Sequence, residues 1–159
     1  MGYCKALNGQ GNRKISDYVR RGGAYLGFCA GGYYGSERCE FEVGNKALEV
    51  VGRRELGFFP GICRGGAFKG FAYSSEVGAR AVNVVPSSEF LPAGSLGADT
   101  VVYYNGGGVF VDAGEKADHG VEVLARYAED LGIEDKDKAA VVSCKVGDGL
   151  ALLTGPHPE

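Results

Sequence analysis

Three residues of the 159-residue chain have the types and surroundings for nucleophilic chemistry: Cys29, His157 and Glu159. Cys29 sits in Gly27-Phe28-Cys29-Ala30-Gly31, at the end of the apolar run Tyr25 to Phe28. G-x-C-x-G at that place predicts a buried strand, a sharp turn and a helix, with the thiol held clear of the sheet edge. Such an elbow is strained and tightly packed, so it asks for small neighbours, here Gly27, Gly31 and Gly32. The Ala30 amide would face a developing oxyanion. A helix starting near Ala30 would favour the thiolate through its N-terminal dipole. His157 follows a predicted strand and precedes Glu159 at i+2. In an extended or turn segment both would face one pocket. Glu159 would then accept from one ring nitrogen while the other faces Cys29. The three together make a Cys-His-Glu set of nucleophile, base and orienting carboxylate. Each part also has a plainer reading. Cys29 fits a buried structural cysteine in a glycine-rich turn, and His-Pro-Glu fits a surface tail.

The elements that must position these residues read as α/β. The length fits one domain, spanning residues 1–159. A hydrophobic share of 45% and a charged share of 23% are those of a folded globular protein, and 28 glycines without a G-X-Y period imply many tight turns. The net charge of −3 gives no argument for nucleic acid or a membrane surface as partner. No apolar run is long enough for a membrane helix, and the N-terminus lacks a signal-peptide core. The cysteines, at positions 4, 29, 39, 63 and 144, are odd in number and form no C-x-x-C pair. That pattern predicts no metal site and a reducing, cytoplasmic location.

Residues 1–11 read as irregular, with Asn12 as a helix cap and Ile15, Tyr18 and Val19 on one helical face. Gly22-Gly23 stops that helix and leads into the cysteine strand. Helix, turn, strand, cysteine turn and short helix are the grammar of a parallel sheet. Between Cys39 and Ala81 the chain looks loop-rich, and Phe58 to Gly66 reads as a loop with two exposed or half-buried aromatics. Arg53, Arg54 and Arg64 lie in this half, where an anion site and a solvated face are both open readings. Ala81–Val85 predicts a strand. Thr100–Tyr104 and Val109–Asp112 around Asn105-Gly106 predict a hairpin. Asp118 to Leu131 carries a helical stripe of Val121, Leu124, Ala125, Ala128 and Leu131, with Asp118 as N-cap, Gly132 as C′ and His119 on the surface. Ala139–Val146 and Leu150–Thr154 predict a second hairpin at Gly147-Asp148-Gly149. No phosphate loop or dinucleotide fingerprint occurs.

The Cys29 elbow, with His-Pro-Glu after two strands, resembles the class I glutamine amidotransferases. More narrowly, Gly22 to Gly35, Arg54 to Gly61, Tyr73 to Ala81 and Leu153 to Glu159 are similar to the N-terminal amidotransferase-like domain of fungal biotin–protein ligases. These blocks run in family order across nearly the whole chain. The resemblance implies a three-layer α/β sandwich of the flavodoxin-like, class I glutamine amidotransferase type. It also implies Cys29 as nucleophile, His157 as base and Glu159 as its orienter.

Three departures qualify what carries over. Glutamine-using members have Gln where this chain has Tyr33, which removes a glutamine-recognition residue. The family has further strands and an oxyanion-donating glycine-rich loop before the position of Gly2, so the chain reads as truncated on its N-terminal side. The ligase catalytic module is absent, so biotin and ATP would belong there and no cofactor is expected in this chain. The implied partners are the rest of a ligase chain and a small amide substrate. Self-association is also expected, because losing upstream strands would bare the edge of the cysteine strand. Two functions follow: a regulatory or accessory module for biotin attachment to carboxylases, or an active amidase working through a thioester. A cysteine peptidase of the same broad fold is weaker, because such relatives usually carry His where this chain has Ala30.

Overall fold

The structure is a computed structural model that describes residues 2–87 and 100–157. The chain begins with two helices, α1 (Gly2–Leu7) and α2 (Gln10–Arg20). Their presence corrects the irregular reading of residues 1–11. Asn12 does not cap α2, which is capped by Gly9. Asn12 lies buried inside the helix and donates from Nδ2 to Glu55 Oε2 at 2.8 Å. The same Glu55 oxygen accepts from the Gly9 amide at 2.7 Å, so a distant carboxylate satisfies an otherwise orphaned donor of the helix start. Val19 is fully buried and Ile15 packs on the core, whereas Tyr18 faces solvent, so the apolar stripe is narrower than its spacing suggests. Gly22 and Gly23 end the helix by donating to the carbonyls of Val19 and Tyr18.

After the stop come β1 (Ala24–Phe28), α3 (Ala30–Gly35), β2 (Ser36–Phe41), β3 (Val50–Arg53) and β4 (Phe59–Gly65). Next are β5 (Arg80–Pro86), β6 (Thr100–Tyr104), β7 (Gly108–Phe110) and a 3-10 segment, Ala113–His119. β8 (Val121–Tyr127), β9 (Ala139–Val146) and β10 (Gly149–Thr154) close the chain. Two sheets result, a larger one ordered β1-β10-β9-β8-β5-β6 and a smaller one ordered β3-β2-β4-β7. A core cluster joins them, with Val19, Ala151 and Leu153 on one side and Cys39, Phe59 and Phe110 on the other. The molecule is mixed α/β. The expected parallel sheet is corrected, because in the larger sheet β1 and β10 run parallel and the other pairings are antiparallel.

The helix expected over Asp118–Leu131 is instead the strand β8. Val121, Val123, Ala125 and Tyr127 are buried, while Glu122 and Arg126 are exposed. Positions 121 and 125 satisfy both a period of two and an i, i+4 helical step, which is why a helical stripe showed in the sequence. β-branched and aromatic residues at the buried positions favour the pleated choice. His119 ends the 3-10 segment and is exposed, as expected.

The hairpin around Asn105-Gly106 is also corrected. β6 pairs with β5, whereas β7 pairs with β4 in the other sheet. The glycines serve a crossing between sheets: a Cβ on Gly107 would lie 2.0 Å from the Gly155 carbonyl oxygen, and one on Gly108 would lie 2.7 Å from Cys63 Sγ. The second hairpin, β9 to β10, forms as expected. Phe59 opens β4 and Phe58 sits in the bend just before it, and both are buried and not the exposed or half-buried aromatics expected.

β1 is a boundary strand. It pairs with β10 along one edge, and the described residues supply nothing to the other. Leu26 at its middle is 55% exposed, so the strand is not the buried one expected. An open edge with an exposed leucine invites pairing with another chain. Sedimentation of this chain is therefore expected to depend on concentration, and Leu26→Lys is expected to shift it toward monomer; a concentration-independent monomer in both would contradict this. Glu55 gives a second expectation. Hydrogen bonds from Asn12 and then from the Gly9 amide hold its carboxyl below the usual carboxylate range. Its contribution is full above the unfolded value of about 4.3 and is lost as pH falls through the lower folded value. Glu55→Gln should remove that part of the acid limb in a pH series of urea melts.

Candidate functional site

The cysteine turn forms as its glycines require. Cys29 adopts φ 46° and ψ −102°, outside the conformations side chains prefer, between the end of β1 and the first turn of α3. Its amide donates to the Thr154 carbonyl at 2.8 Å, and its own carbonyl accepts from the Tyr33 amide at 3.1 Å. A Cβ on Gly27 would lie 2.6 Å from the Gly31 carbonyl oxygen, and one on Gly32 would lie 2.9 Å from the Thr154 oxygen. Gly31 is different, since a Cβ there meets nothing nearer than the Tyr25 hydroxyl at 3.7 Å. Two of the three elbow glycines are thus fixed by backbone contact, and the third is not.

The parallel pairing of β1 with β10 sends Cys29 and His157 out of the same end of the larger sheet. There the two diverge. The Cys29 thiol donates to the Asn105 carbonyl at 3.6 Å and not to the imidazole. His157 is fixed by its amide, which donates to the Tyr103 carbonyl at 2.8 Å, and its ring meets the Tyr103 ring edge-on, centroids 5.4 Å apart. Glu159 lies outside the described residues. The Ala30 amide hydrogen-bonds the Cys29 sulfur and pulls the thiol pKa down, but burial outweighs it and the thiol is pushed up. The expected help from the helix start is therefore overridden by desolvation.

Tyr33, at the position where a glutamine was looked for, is buried and donates from its hydroxyl to the Gly106 carbonyl at 3.1 Å. It occupies the space over Gly65, where a Cβ would lie 1.6 Å from its hydroxyl oxygen. Asn105 is the neighbour the sequence did not single out. Its Nδ2 donates to the Ser75 carbonyl at 3.3 Å and to the Tyr103 hydroxyl at 3.4 Å, and its buried Oδ1 has no partner among the described residues. The Asn-Gly signal marked a turn there, but not that the turn would carry the carbonyl facing Cys29.

A cavity of about 310 Å³ opens in front of Cys29. Tyr3, Tyr33, Tyr34, Phe41, Phe71 and Tyr73 line it, with Arg54 and the cysteines 4, 29 and 39. Its walls come from Phe41 and Phe71, not from the Phe58-Phe59 pair. Among the basic residues, Arg53 pairs with Glu37 at 2.7 Å and Arg64 with Glu40 at 2.8 Å, and Arg54, which lines the cavity, donates from Nη1 to the Gly52 and Arg53 carbonyls. Among the described residues, no group of His, Cys, Asp or Glu is arranged to hold a metal ion. No helix there is long and apolar enough to cross a membrane.

The biotin-protein ligase N-terminal family matches residues 1–159. The chain belongs to that family. It is 45% identical over 159 residues to the biotin--protein ligase of Schizosaccharomyces pombe, covering all of this chain and 24% of that protein. It is 37% identical over 157 residues to an uncharacterized protein of Chlamydia muridarum, covering 99% of this chain and 56% of that protein. The chain thus spans about a quarter and about half of the length of these two relatives. Among solved structures, a beta-galactosidase from Bacillus circulans sp. alkalophilus aligns at TM-score 0.55 and 14% identity, over 94% of this chain and 18% of that one. A beta-galactosidase from G. stearothermophilus aligns at 0.51 and 14%, over 96% and 18%. Likeness at that identity concerns the fold alone. The family membership expected from the sequence blocks holds, and within this family the elbow glycines can be tested apart. Gly27→Ala should cost about 1–3 kcal/mol by overpacking against backbone, whereas Gly31→Ala, inside a helical turn, should be neutral or stabilise by up to about 1 kcal/mol. Urea denaturation checks both, and equal losses would refute the packing account.

Proposed function

We propose that this chain is the N-terminal accessory domain of a biotin–protein ligase, with an amidotransferase-like elbow and a pocket that binds a small molecule without turning it over. The observation that carries this reading is the state of Cys29. Its thiol donates to the Asn105 carbonyl in a site where burial raises its pKa. A nucleophilic cysteine needs the thiolate, and a carbonyl oxygen facing the sulfur opposes that charge. Tyr33 supports the same reading, since it fills the place of a glutamine-recognising side chain with a buried ring. The two relatives support a self-contained role, because matching stretches are accompanied by very different amounts of further chain. In this reading biotin and ATP belong to the ligase portion, and this domain tunes biotin attachment.

The second reading, an amidase acting through a thioester on Cys29 with His157 as base and Glu159 as orienter, is favoured by one feature. Cys29 keeps the strained backbone of a nucleophile elbow, and strain of that kind clusters at functional sites. The alkylation rate of Cys29 against pH, read by peptide mass spectrometry in the full-length protein, separates the two. The accessory reading expects reactivity to rise only at or above the free-thiol value of about 8.5, unchanged by His157→Ala. A thiolate already reactive near pH 6 in the wild type, and lost in His157→Ala, would overturn it in favour of the amidase.

A further inference from the structure

Residues 70–78 form a loop with a glycine pivot at each end. Gly70 has φ 104° and Gly78 has φ 85°, a region that side chains rarely adopt. The two pivots also touch, since a Cβ on Gly78 would lie 2.6 Å from the Gly70 carbonyl oxygen. A compact surface segment whose ends meet is an Ω-loop, and such loops frequently carry function. Between the pivots no residue is fully buried and none belongs to a helix or strand. Yet Phe71 and Tyr73 of this loop line the Cys29 cavity. The Phe71 ring meets Phe41 edge-on at 5.2 Å and Tyr73 edge-on at 5.0 Å. One wall of the cavity is thus carried on two pivots.

The tip of the loop is docked by polar contacts. Glu76 Oε2 accepts from the Tyr103 hydroxyl at 2.6 Å, and the Ser75 carbonyl accepts from Asn105 Nδ2 at 3.3 Å. Asn105 Nδ2 also donates to the Tyr103 hydroxyl at 3.4 Å, which joins the two contacts into one chain. The far end of that chain is the cysteine, because the Asn105 backbone carbonyl accepts from the Cys29 thiol at 3.6 Å. Phe71 rests on the next residue, where a Cβ on Gly106 would lie 2.5 Å from Phe71 Cδ2. The same dock therefore fixes the aromatic wall and the carbonyl that faces the sulfur. Residues 73–77 are exposed, so water competes for these hydrogen bonds and their net worth is small. Pivots at both ends and a weak polar latch at the tip are the anatomy of a lid.

We propose that residues 70–78 are a lid over the Cys29 cavity, latched by the Glu76–Tyr103 hydrogen bond, with Glu76, Tyr103 and Asn105 as positioning residues for Cys29. With the latch closed, Phe71 and Tyr73 narrow the cavity and the Asn105 carbonyl stays on the thiol. With the latch open, the wall swings out on Gly70 and Gly78, a small molecule enters, and the thiol loses its fixed acceptor. The proposal rests on the reading of the cavity as a small-molecule site and names what regulates entry to it.

The test is the rate of iodoacetamide alkylation of Cys29 in the full-length protein, read by peptide mass spectrometry at one pH of about 8.5. Cys144, buried in β9 and outside the cavity lining, is read in the same samples as a report on general loosening. Glu76→Gln weakens the latch from the exposed side. Tyr103→Phe removes the hydroxyl that Glu76 and Asn105 share and keeps the ring. Each variant is expected to raise the Cys29 rate about twofold to tenfold, the range that loss of one net hydrogen bond supplies, with Cys144 unchanged. Glu37→Gln, which alters an exposed ion pair with Arg53, should leave both rates as in the wild type. Failure of either latch variant to raise the Cys29 rate would overturn the proposal. So would a parallel rise at Cys144, which marks unfolding and not a lid, or an equal rise in Glu37→Gln. The accessory reading is judged separately, by the pH profile of Cys29 with and without His157→Ala.

Discussion

Parallel pairing between Ala24–Phe28 and Leu150–Thr154 sets where two distant parts of the chain end. Leu26 lies opposite Leu152, and Phe28 lies opposite Thr154. The ladder continues one step past β1, where the Cys29 amide meets the Thr154 carbonyl. Because parallel strands leave a sheet from the same end, the cysteine turn and the segment carrying His157 emerge side by side. A one-residue slip would reverse every side chain of β1 relative to the core and would also move the turn. Gly32 and Gly35 hold that register from above: a Cβ on Gly35 would lie 2.7 Å from Leu153 Cδ2, just as one on Gly32 would strike the Thr154 carbonyl. The short helix can therefore sit down on β10 only where glycine allows it.

What this frame presents is a contest between desolvation and local dipoles, and desolvation prevails. The helix after Cys29 is six residues long. A helix that short carries little macrodipole, and the Ala30 amide is one donor against a site closed by rings. Burial raises Tyr25 to about 12 and pushes Tyr104 and Cys29 up as well. The neighbourhood as a whole thus favours neutral forms. The surrounding hydroxyls then act as donors to carbonyls: Tyr25 to Gly31, Tyr33 to Gly106, Tyr104 to Gly107 and Tyr127 to Gly108.

Local chemistry was legible in the sequence where one residue type has one physical use. The strand, turn and short helix around Cys29, the Gly22-Gly23 stop and the β9–β10 hairpin all formed as read. Tyr33 stood out as a departure before its hydrogen bond was seen. Reading failed where two periods overlap or where a glycine run has two uses. Val121 and Ala125 fit a helix face and a strand face equally, and the sheet decides between them. Asn105-Gly106-Gly107 looks like a hairpin turn, yet here it threads between sheets because Gly107 and Gly108 tolerate backbone contact that no side chain would. Phe41 and Phe71 carried no local signal, and nothing in the sequence set Arg54 apart from Arg53 and Arg64. They meet only through the pairing of β2 with β3 and the return of the chain after β4, which is long-range information.

The glycines of the elbow have a consequence beyond this molecule. Gly27 and Gly32 are held by contacts with the backbone of Gly31 and Thr154, and neither contact involves the sulfur. If selection for reactivity lapsed, these positions would still be unable to drift, because the sheet would not close over a larger residue. The elbow would outlive the chemistry. Descendants of one catalytic ancestor would then share Gly27 and Gly32, though not of necessity Gly31, while differing in whether the thiol ever ionises. Counting such signatures across genomes measures how often the architecture was inherited. It does not measure how often the reaction was kept.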